Sequence, residues 1–151
     1  MTQMTTPTAG STARSTATVL VRPLSDVGLS DVAQVGGKNA GIGELHRVLV
    51  GTAVRVPDGF AVTADAYRHT LTSAGLWQPL ADVFAGLDLD ATDDLARRAD
   101  RARALVEAVE LPDELVDQLR GAYRGLEQAH GSAVAVAGRG SADRKSTRLN
   151  S

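Results

Sequence analysis

The chain has 151 residues, the length of one domain or of part of a larger one. Its formal net charge of -2 offers no basic surface of the kind that binds nucleic acid, so we expect no nucleic-acid partner. It contains no cysteine, which excludes disulfides and thiolate metal sites and favours a reducing, cytoplasmic location. No apolar run approaches the roughly 20 residues of a membrane helix, so we also predict no membrane partner.

The two ends of the chain differ from the rest. Residues 1–17 are rich in serine and threonine and lack the apolar core of a secretory signal, so we expect a disordered leader. The last nine residues, "DRKSTRLNS" at 143–151, have no apolar period, and they resemble the translation of a sequencing-library adapter. We therefore expect them to be an artefact and the domain, itself a piece of a longer protein, to span residues 18–142.

Setting the last nine residues aside changes the charge pattern. They carry a net charge of +2, so the rest of the chain carries -4. Lys38 is then the only lysine, beside twelve arginines, and it stands between Gly37 and Asn39. Lysine is a compact point charge on a flexible stem, which suits contact with phosphate oxygens and is not equivalent to arginine.

The first half of the domain is predicted to contain short strands and two helices. Residues 18–24 read as a strand with Pro23 near its end, and residues 25–37 read as loop and turn. Apolar residues then repeat at helical spacing over residues 38–50, with Gly51 as the stop. Residues 54–62 read as two extended pieces around a Pro-Asp-Gly turn, and Thr63 caps a helix over 64–73.

The second half is predicted to be mainly helical. A short third helix covers residues 76–84, a fourth helix begins at Asp93, and Pro112 opens a fifth that Gly131 ends. The two longer helices carry apolar stripes that we interpret as core seams: Leu95, Ala99, Ala102, Leu105 and Val109, and then Leu115, Leu119, Ala122, Tyr123 and Leu126. The arginine-rich run 97–103 reads as a solvated face with local ion pairs. Residues 132–138 read as a strand, and the fold class is α+β and helix-rich.

The stretch "VGGKNAGIGEL" has the ingredients of a phosphate grip. It is not a P-loop, because the spacing is wrong and Asn39 follows the lysine. Gly36 and Gly37 nevertheless allow a sharp turn and a close approach to a ligand. The helix that follows offers unpaired amides to an anion, and Lys38 adds a full charge. The alternative is an ordinary glycine turn with an exposed lysine.

Four segments together resemble a known family. "DVAQVGGKNAGIGEL", "VRVPDGFAVTADAYR", the helical stretch and "SAVAVAGRGSA" follow the order and approximate spacing of the nucleotide-binding domain of the phosphoenolpyruvate synthase family. That family includes the pyruvate phosphate dikinases and the rifampicin phosphotransferases. The resemblance covers about residues 20–142.

The resemblance implies an incomplete, N-terminal portion of an ATP-grasp-type domain. It implies that Lys38 contacts the ATP phosphates and that Arg139, in "AGRGSA", clamps them. A guanidinium fork suits that geometry and stabilises charge during phosphoryl transfer. Gly138 and Gly140 depart from the family pattern, which has valine and serine there.

The implied function of the parent protein is that of a dikinase. ATP would donate a phosphoryl group to a histidine of a separate domain, and pyruvate would receive it. Magnesium ligands are expected beyond Ala142, and we expect the chain alone to hold no catalytic residue and to be inactive. The alternatives are a rifampicin phosphotransferase, a pyruvate phosphate dikinase relative, or a non-catalytic helical module that binds a partner.

Two other groups of residues are expected to be structural. None of His46, His69 and His130 stands in the Thr/Gly-rich context of the family's phosphorylated histidine, so we expect them to pack or to lie on the surface. In "VPDGF", Pro57 and Gly59 are expected to shape a turn and Phe60 to pack in the core.

Overall fold

The structure is a computed structural model that describes residues 18–88, 91–131 and 134–140. The predicted leader and the last nine residues lie outside the described residues. The described parts contain two strands and five α-helices: β1 (Val21–Pro23), α1 (Val32–Val48), β2 (Phe60–Val62), α2 (Ala64–Ser73), α3 (Trp77–Phe84), α4 (Thr92–Glu107) and α5 (Asp113–His130). The predicted helix-rich α+β class is confirmed.

The sheet is a single antiparallel pair. Val21 lies opposite Val62, and Pro23 lies opposite Phe60. β1 is shorter than the predicted strand over 18–24, and it ends at Pro23, which has no backbone N–H to continue the ladder. Of the two extended pieces predicted around the Pro-Asp-Gly turn, the second is β2, and residues 54–59 have no regular structure.

The two faces of this two-stranded sheet contribute to different core clusters, because successive strand side chains point to opposite faces. Ala61 joins the cluster beneath α1, whereas Phe60 packs against the cluster beneath α2 and α5. The first cluster consists of Leu24, Val27, Val35, Ala40 and Ala61. The second consists of Leu20, Val21, Ala66 and Leu115. The two-stranded sheet therefore fixes α1 relative to α5.

The segment before the predicted first helix is not the loop we expected. Residues 25–37 contain two short 3₁₀ turns and a first helical stretch of α1 from Val32, and the longer helical stretch after the non-helical Gly36 begins close to the predicted start at Lys38. The Asp31 carboxylate accepts hydrogen bonds from Gly28 N at 2.9 Å and from the Arg22 guanidinium at 2.7 Å. These contacts order the turn in front of the helix, so the helix begins before the glycine pair.

Three helix ends agree with the prediction. Thr63 Oγ1 accepts a hydrogen bond from Ala66 N at 3.2 Å and so caps α2. α5 begins directly after Pro112, and Gly131, with φ 95°, ends it. The apolar stripe of α5 reaches the core through Leu115.

Two predictions from the second half are wrong. None of the α4 residues is buried, since α4 packs against α3 and not against either core cluster, so its stripe is not a core seam. Residues 134–138 form no strand, because no described strand runs beside them to complete a ladder. The first two residues of that predicted strand, 132 and 133, lie outside the described residues. The solvated arginine face is confirmed, with Arg97 and Arg98 both paired to Asp94.

Candidate site at the glycine break of helix α1

Helix α1 contains a break at Gly36. Gly36 has φ 78° and ψ 157°, a conformation that is essentially restricted to glycine. On the far side of the break, Asn39 Nδ2 donates a hydrogen bond to the Val35 carbonyl at 2.9 Å. The side chain of Asn39 thus joins the two parts of the helix across the turn and fixes the direction in which the next residues leave it.

Lys38 lies just past this break and is exposed. Its Nζ donates a hydrogen bond to the Gly140 carbonyl at 3.2 Å, across 102 positions of the chain. Arg139, the other predicted phosphate-binding residue, precedes Gly140 and is exposed as well. The fold therefore brings the Lys38 ammonium to the segment that carries Arg139.

Gly37 leaves open space beside the break. Within the described part of the chain, no heavy atom of another segment lies within 4 Å of a Cβ atom built on Gly37. A ligand can therefore approach the backbone there. Two exposed cationic residues and bare backbone can attract and hold an anion. Neither cation supplies a nucleophile or a general base.

Asp31 is the charged residue that organises the segment in front of α1. The hydrogen bond from Arg22, and then that from the Gly28 amide, hold the pKa of Asp31 below its ordinary value of 3.8. Arg22 also donates to Gln34 Oε1 at 3.1 Å on the first turn of α1. A charged Asp31 is thus part of what places the helix that carries Lys38.

Sequence reasoning missed two contributors to this arrangement. The helical spacing of Asn39 from Val35 could have suggested the side-chain bond to the carbonyl, because asparagine makes such i→i-4 contacts. The Gly140 carbonyl has no sequence signal, since any residue could have provided it.

The histidines have structural contacts, as expected. His46 Nε2 donates to the Pro57 carbonyl at 3.0 Å, and His130 Nε2 donates to Asp58 Oδ2 at 2.7 Å. His69 Nε2 lies 3.9 Å from Glu114 Oε2.

Of the roles predicted for "VPDGF", the packing of Phe60 is confirmed, whereas the described residues 56–59 form no hydrogen-bonded turn. The Gly59 carbonyl accepts from Leu24 N at 2.9 Å, and Phe60 packs against the second cluster.

A cleft in the described residues lies elsewhere. It has a volume of about 520 Å³ and runs between the two-stranded sheet and α5, past Asp58, Phe60, Gly121 and Gly125. Neither Lys38 nor Arg139 lines it. None of the described residues that line this cleft is a cation that could bind a phosphate.

No group of three or more His, Asp or Glu side chains among the described residues is placed to hold a metal ion. Across the ranges 18–88, 91–131 and 134–140, no helix has the length and apolar character needed to cross a membrane.

The chain is similar to proteins named phosphoenolpyruvate synthase. It is 37% identical to the one of Synechocystis sp. over 121 residues, which are 80% of this chain and 15% of the relative. It is 40% identical to that of Pseudomonas aeruginosa over 119 residues (79% and 15%) and 36% identical to that of Escherichia coli over 107 residues (71% and 14%). The chain thus spans about one seventh of the length of these relatives.

A family model also matches most of the chain. The model describes the AMP/ATP-binding domain of pyruvate phosphate dikinase, and it matches residues 32–147. The match includes the glycine break, Lys38 and Arg139, and it runs into the segment 143–151. With this match over most of its length and the similar proteins above, the chain belongs to the family of the pyruvate phosphate dikinase AMP/ATP-binding domain.

Proposed function

We propose that this chain binds ATP through its phosphates, with Lys38 and Arg139 as the two cationic contacts. The observation that carries the proposal is the hydrogen bond between Lys38 Nζ and the Gly140 carbonyl, which joins the two candidate segments. Membership of an AMP/ATP-binding family supports a nucleotide as the ligand. The open backbone at Gly37 supports an anion as the group that is held.

The two cations would have different parts in binding. Lys38, a point charge on a flexible stem, would follow the phosphate oxygens, whereas the planar fork of Arg139 would hold two oxygens at once. Both would offset negative charge on the phosphates during transfer. The described residues do not fit a magnesium site, so no step through magnesium is derived from them.

The parent protein is proposed to be a dikinase of the phosphoenolpyruvate synthase type, with this chain as the opening of its ATP-grasp-type domain at residues 18–142. ATP would phosphorylate a histidine elsewhere in the parent, and pyruvate would receive the group. We propose a cytoplasmic location, and inactivity of the 151-residue chain when it is isolated. A rifampicin phosphotransferase or a pyruvate phosphate dikinase would carry the same opening segment. An assay of which acceptor the full-length parent phosphorylates would separate these possibilities.

ATP binding can be tested by calorimetry on the 151-residue chain. We expect Lys38→Met and Arg139→Met each to weaken ATP binding by about 10- to 100-fold, the loss of one charge-assisted contact. Arg103→Met is the matched control, because Arg103 is an exposed cation of α4 whose partner is Asp100 at 3.1 Å. Adenosine, which lacks phosphates, should bind equally to the wild type and to both site variants.

The result also decides between the catalytic and the non-catalytic interpretation. If the wild-type chain does not bind ATP, or if Lys38→Met binds it as tightly as the wild type, the phosphate site is wrong. The partner-binding module would then be favoured. The surface of α4 around Leu95, whose side chain is 41% exposed, would be the first to test for binding of a partner.

A further inference from the structure

The segment that carries Arg139 is held at its two ends. Tyr123 Oη, on α5, donates a hydrogen bond to the Val134 carbonyl at 2.8 Å. Lys38 Nζ donates to the Gly140 carbonyl at the other end. Residues 135–139 are exposed and make no hydrogen bonds with other described residues. The position of this segment relative to α1 therefore depends on Lys38.

We propose that Lys38 is a positioning residue for Arg139 in addition to its proposed contact with phosphate. Arg139 directly precedes Gly140, so holding the Gly140 carbonyl limits where the Arg139 backbone can lie. This inference rests on the proposed ATP site for its functional meaning, but the positioning itself is a property of the nucleotide-free chain.

The chemistry of the ammonium group allows both roles at once. A lysine side chain has three N–H donors, and the Gly140 carbonyl uses one of them. The other donors remain for phosphate oxygens, so ATP need not displace the carbonyl. Because the segment is ordered before the nucleotide arrives, less conformational freedom is lost on binding.

The positioning can be measured with a spin label in the absence of nucleotide. The chain has no cysteine, so Ala137→Cys creates a single labelling position in the middle of the 134–140 segment. We expect the wild-type background to give an electron paramagnetic resonance spectrum with an immobilised component. Lys38→Met should lose that component, whereas Arg103→Met, the exposed α4 control, should keep it. Circular dichroism would confirm that each variant is folded.

A conservative variant separates positioning from a general loss of structure. Lys38→Arg retains a cationic N–H donor at position 38 and should restore the immobilised component, although its ATP affinity should remain below that of the wild type. An unchanged spectrum in Lys38→Met would overturn the inference, as would a fully mobile label in the wild-type background.

ATP titration of the same proteins distinguishes this inference from the proposed function. If Lys38 positions Arg139, Lys38→Met combined with Arg139→Met should weaken binding by little more than Lys38→Met alone, since Arg139 is already misplaced. If the fold losses of ATP affinity in the two single variants instead multiply in the double variant, the positioning role is overturned while the ATP site remains intact. If the wild type fails to bind ATP, the proposed function fails, and the spectra alone decide whether Lys38 holds the segment.

Discussion

Gln118 of α5 accepts hydrogen bonds with a single oxygen, Oε1, from the backbone amides of Leu20 at 2.8 Å and Val21 at 3.2 Å. Its Nε2 atom donates to the Thr18 carbonyl at 2.9 Å. The side chain therefore satisfies backbone groups at the start of β1 that no described strand pairs with on that side. It also holds α5 against β1 at the position where Leu115 packs into the core.

Replacing this glutamine should destabilise the fold. In Gln118→Ala, the Leu20 amide loses its partner while Leu20 itself stays buried, and an unpaired polar group is costly inside a protein. We expect the free energy of unfolding to fall by about 1–3 kcal/mol. Urea unfolding followed by circular dichroism would measure it.

Gln78→Ala is the matched control for this variant. Gln78 lies on α3, where its Nε2 donates to Asp82 Oδ1 at 2.8 Å in an exposed pair. Its removal should change the free energy of unfolding by no more than about 0.5 kcal/mol. Equal losses in the two variants would show that the contact with β1 does not stabilise the fold.

The helix ends could be predicted because their signals are local. Thr63 stands directly before its helix, and its hydroxyl reaches an amide three residues away. Gly131 ends α5 because a positive φ is easily adopted only without a Cβ atom. The stripe of α5 could be predicted for a similar reason, since helical spacing alone puts its members on one side.

The features that failed depend on distant partners. The amphipathic pattern of α4 shows which side could be buried, but whether it is buried depends on what α4 packs against, and its main contact among the described elements is with α3. The short helical stretch of α1 before Gly36, which the sequence did not predict, depends on Arg22 meeting Asp31. The contact between Lys38 and Gly140 is a tertiary contact that no local pattern encodes.

Gly43 should be intolerant of any side chain. A Cβ atom there would collide with the Val27 carbonyl and lie 2.7 Å from the Leu24 carbonyl, and neither backbone atom can move without shifting the 3₁₀ turns. We expect Gly43→Ala to destabilise the fold by about 1–3 kcal/mol, despite the higher helix propensity of alanine. Thermal unfolding measured by circular dichroism would test this expectation.

Gly41→Ala is the control within the same helix. Among the described residues, no atom of another segment lies within 4 Å of a Cβ atom on Gly41, so only the helix propensity changes. This variant should be more stable than the wild type by up to about 1 kcal/mol. A loss of stability in Gly41→Ala as large as that in Gly43→Ala would contradict the close contact of α1 with the Leu24–Val27 turn.

The two glycines of the break should respond differently to alanine. Gly36→Ala forces a Cβ atom into a backbone conformation that only glycine adopts readily, and we expect a loss of about 1–3 kcal/mol. Gly37 has no positive φ and has free space, so Gly37→Ala should keep or slightly raise stability. Chemical unfolding of both variants would measure the difference, and similar stabilities would argue against the break.

The ion pair of Asp31 should make stability depend on acid pH. The hydrogen bond from Arg22 lowers the pKa of Asp31 in the folded state below the ordinary 3.8, so folding favours the charged carboxylate. Its stabilisation is fully present well above pH 3.8 and is lost as the pH falls through the lower folded-state pKa. Asp31→Asn should therefore be less stable than the wild type near neutral pH, with a gap that narrows on acidification.

Arg22→Gln identifies the origin of that pH dependence. Because Arg22 is the main cause of the lowered pKa, its removal should bring the folded-state pKa of Asp31 back towards 3.8. In the Arg22→Gln background, the loss of stability caused by Asp31→Asn should then vary less between about pH 7 and about pH 2 than it does in the wild-type background. The measurement is the unfolding midpoint of the wild type, the two single variants and the double variant across this pH range. An equally steep dependence in both backgrounds would assign the effect to the Gly28 amide instead, which also donates to Asp31.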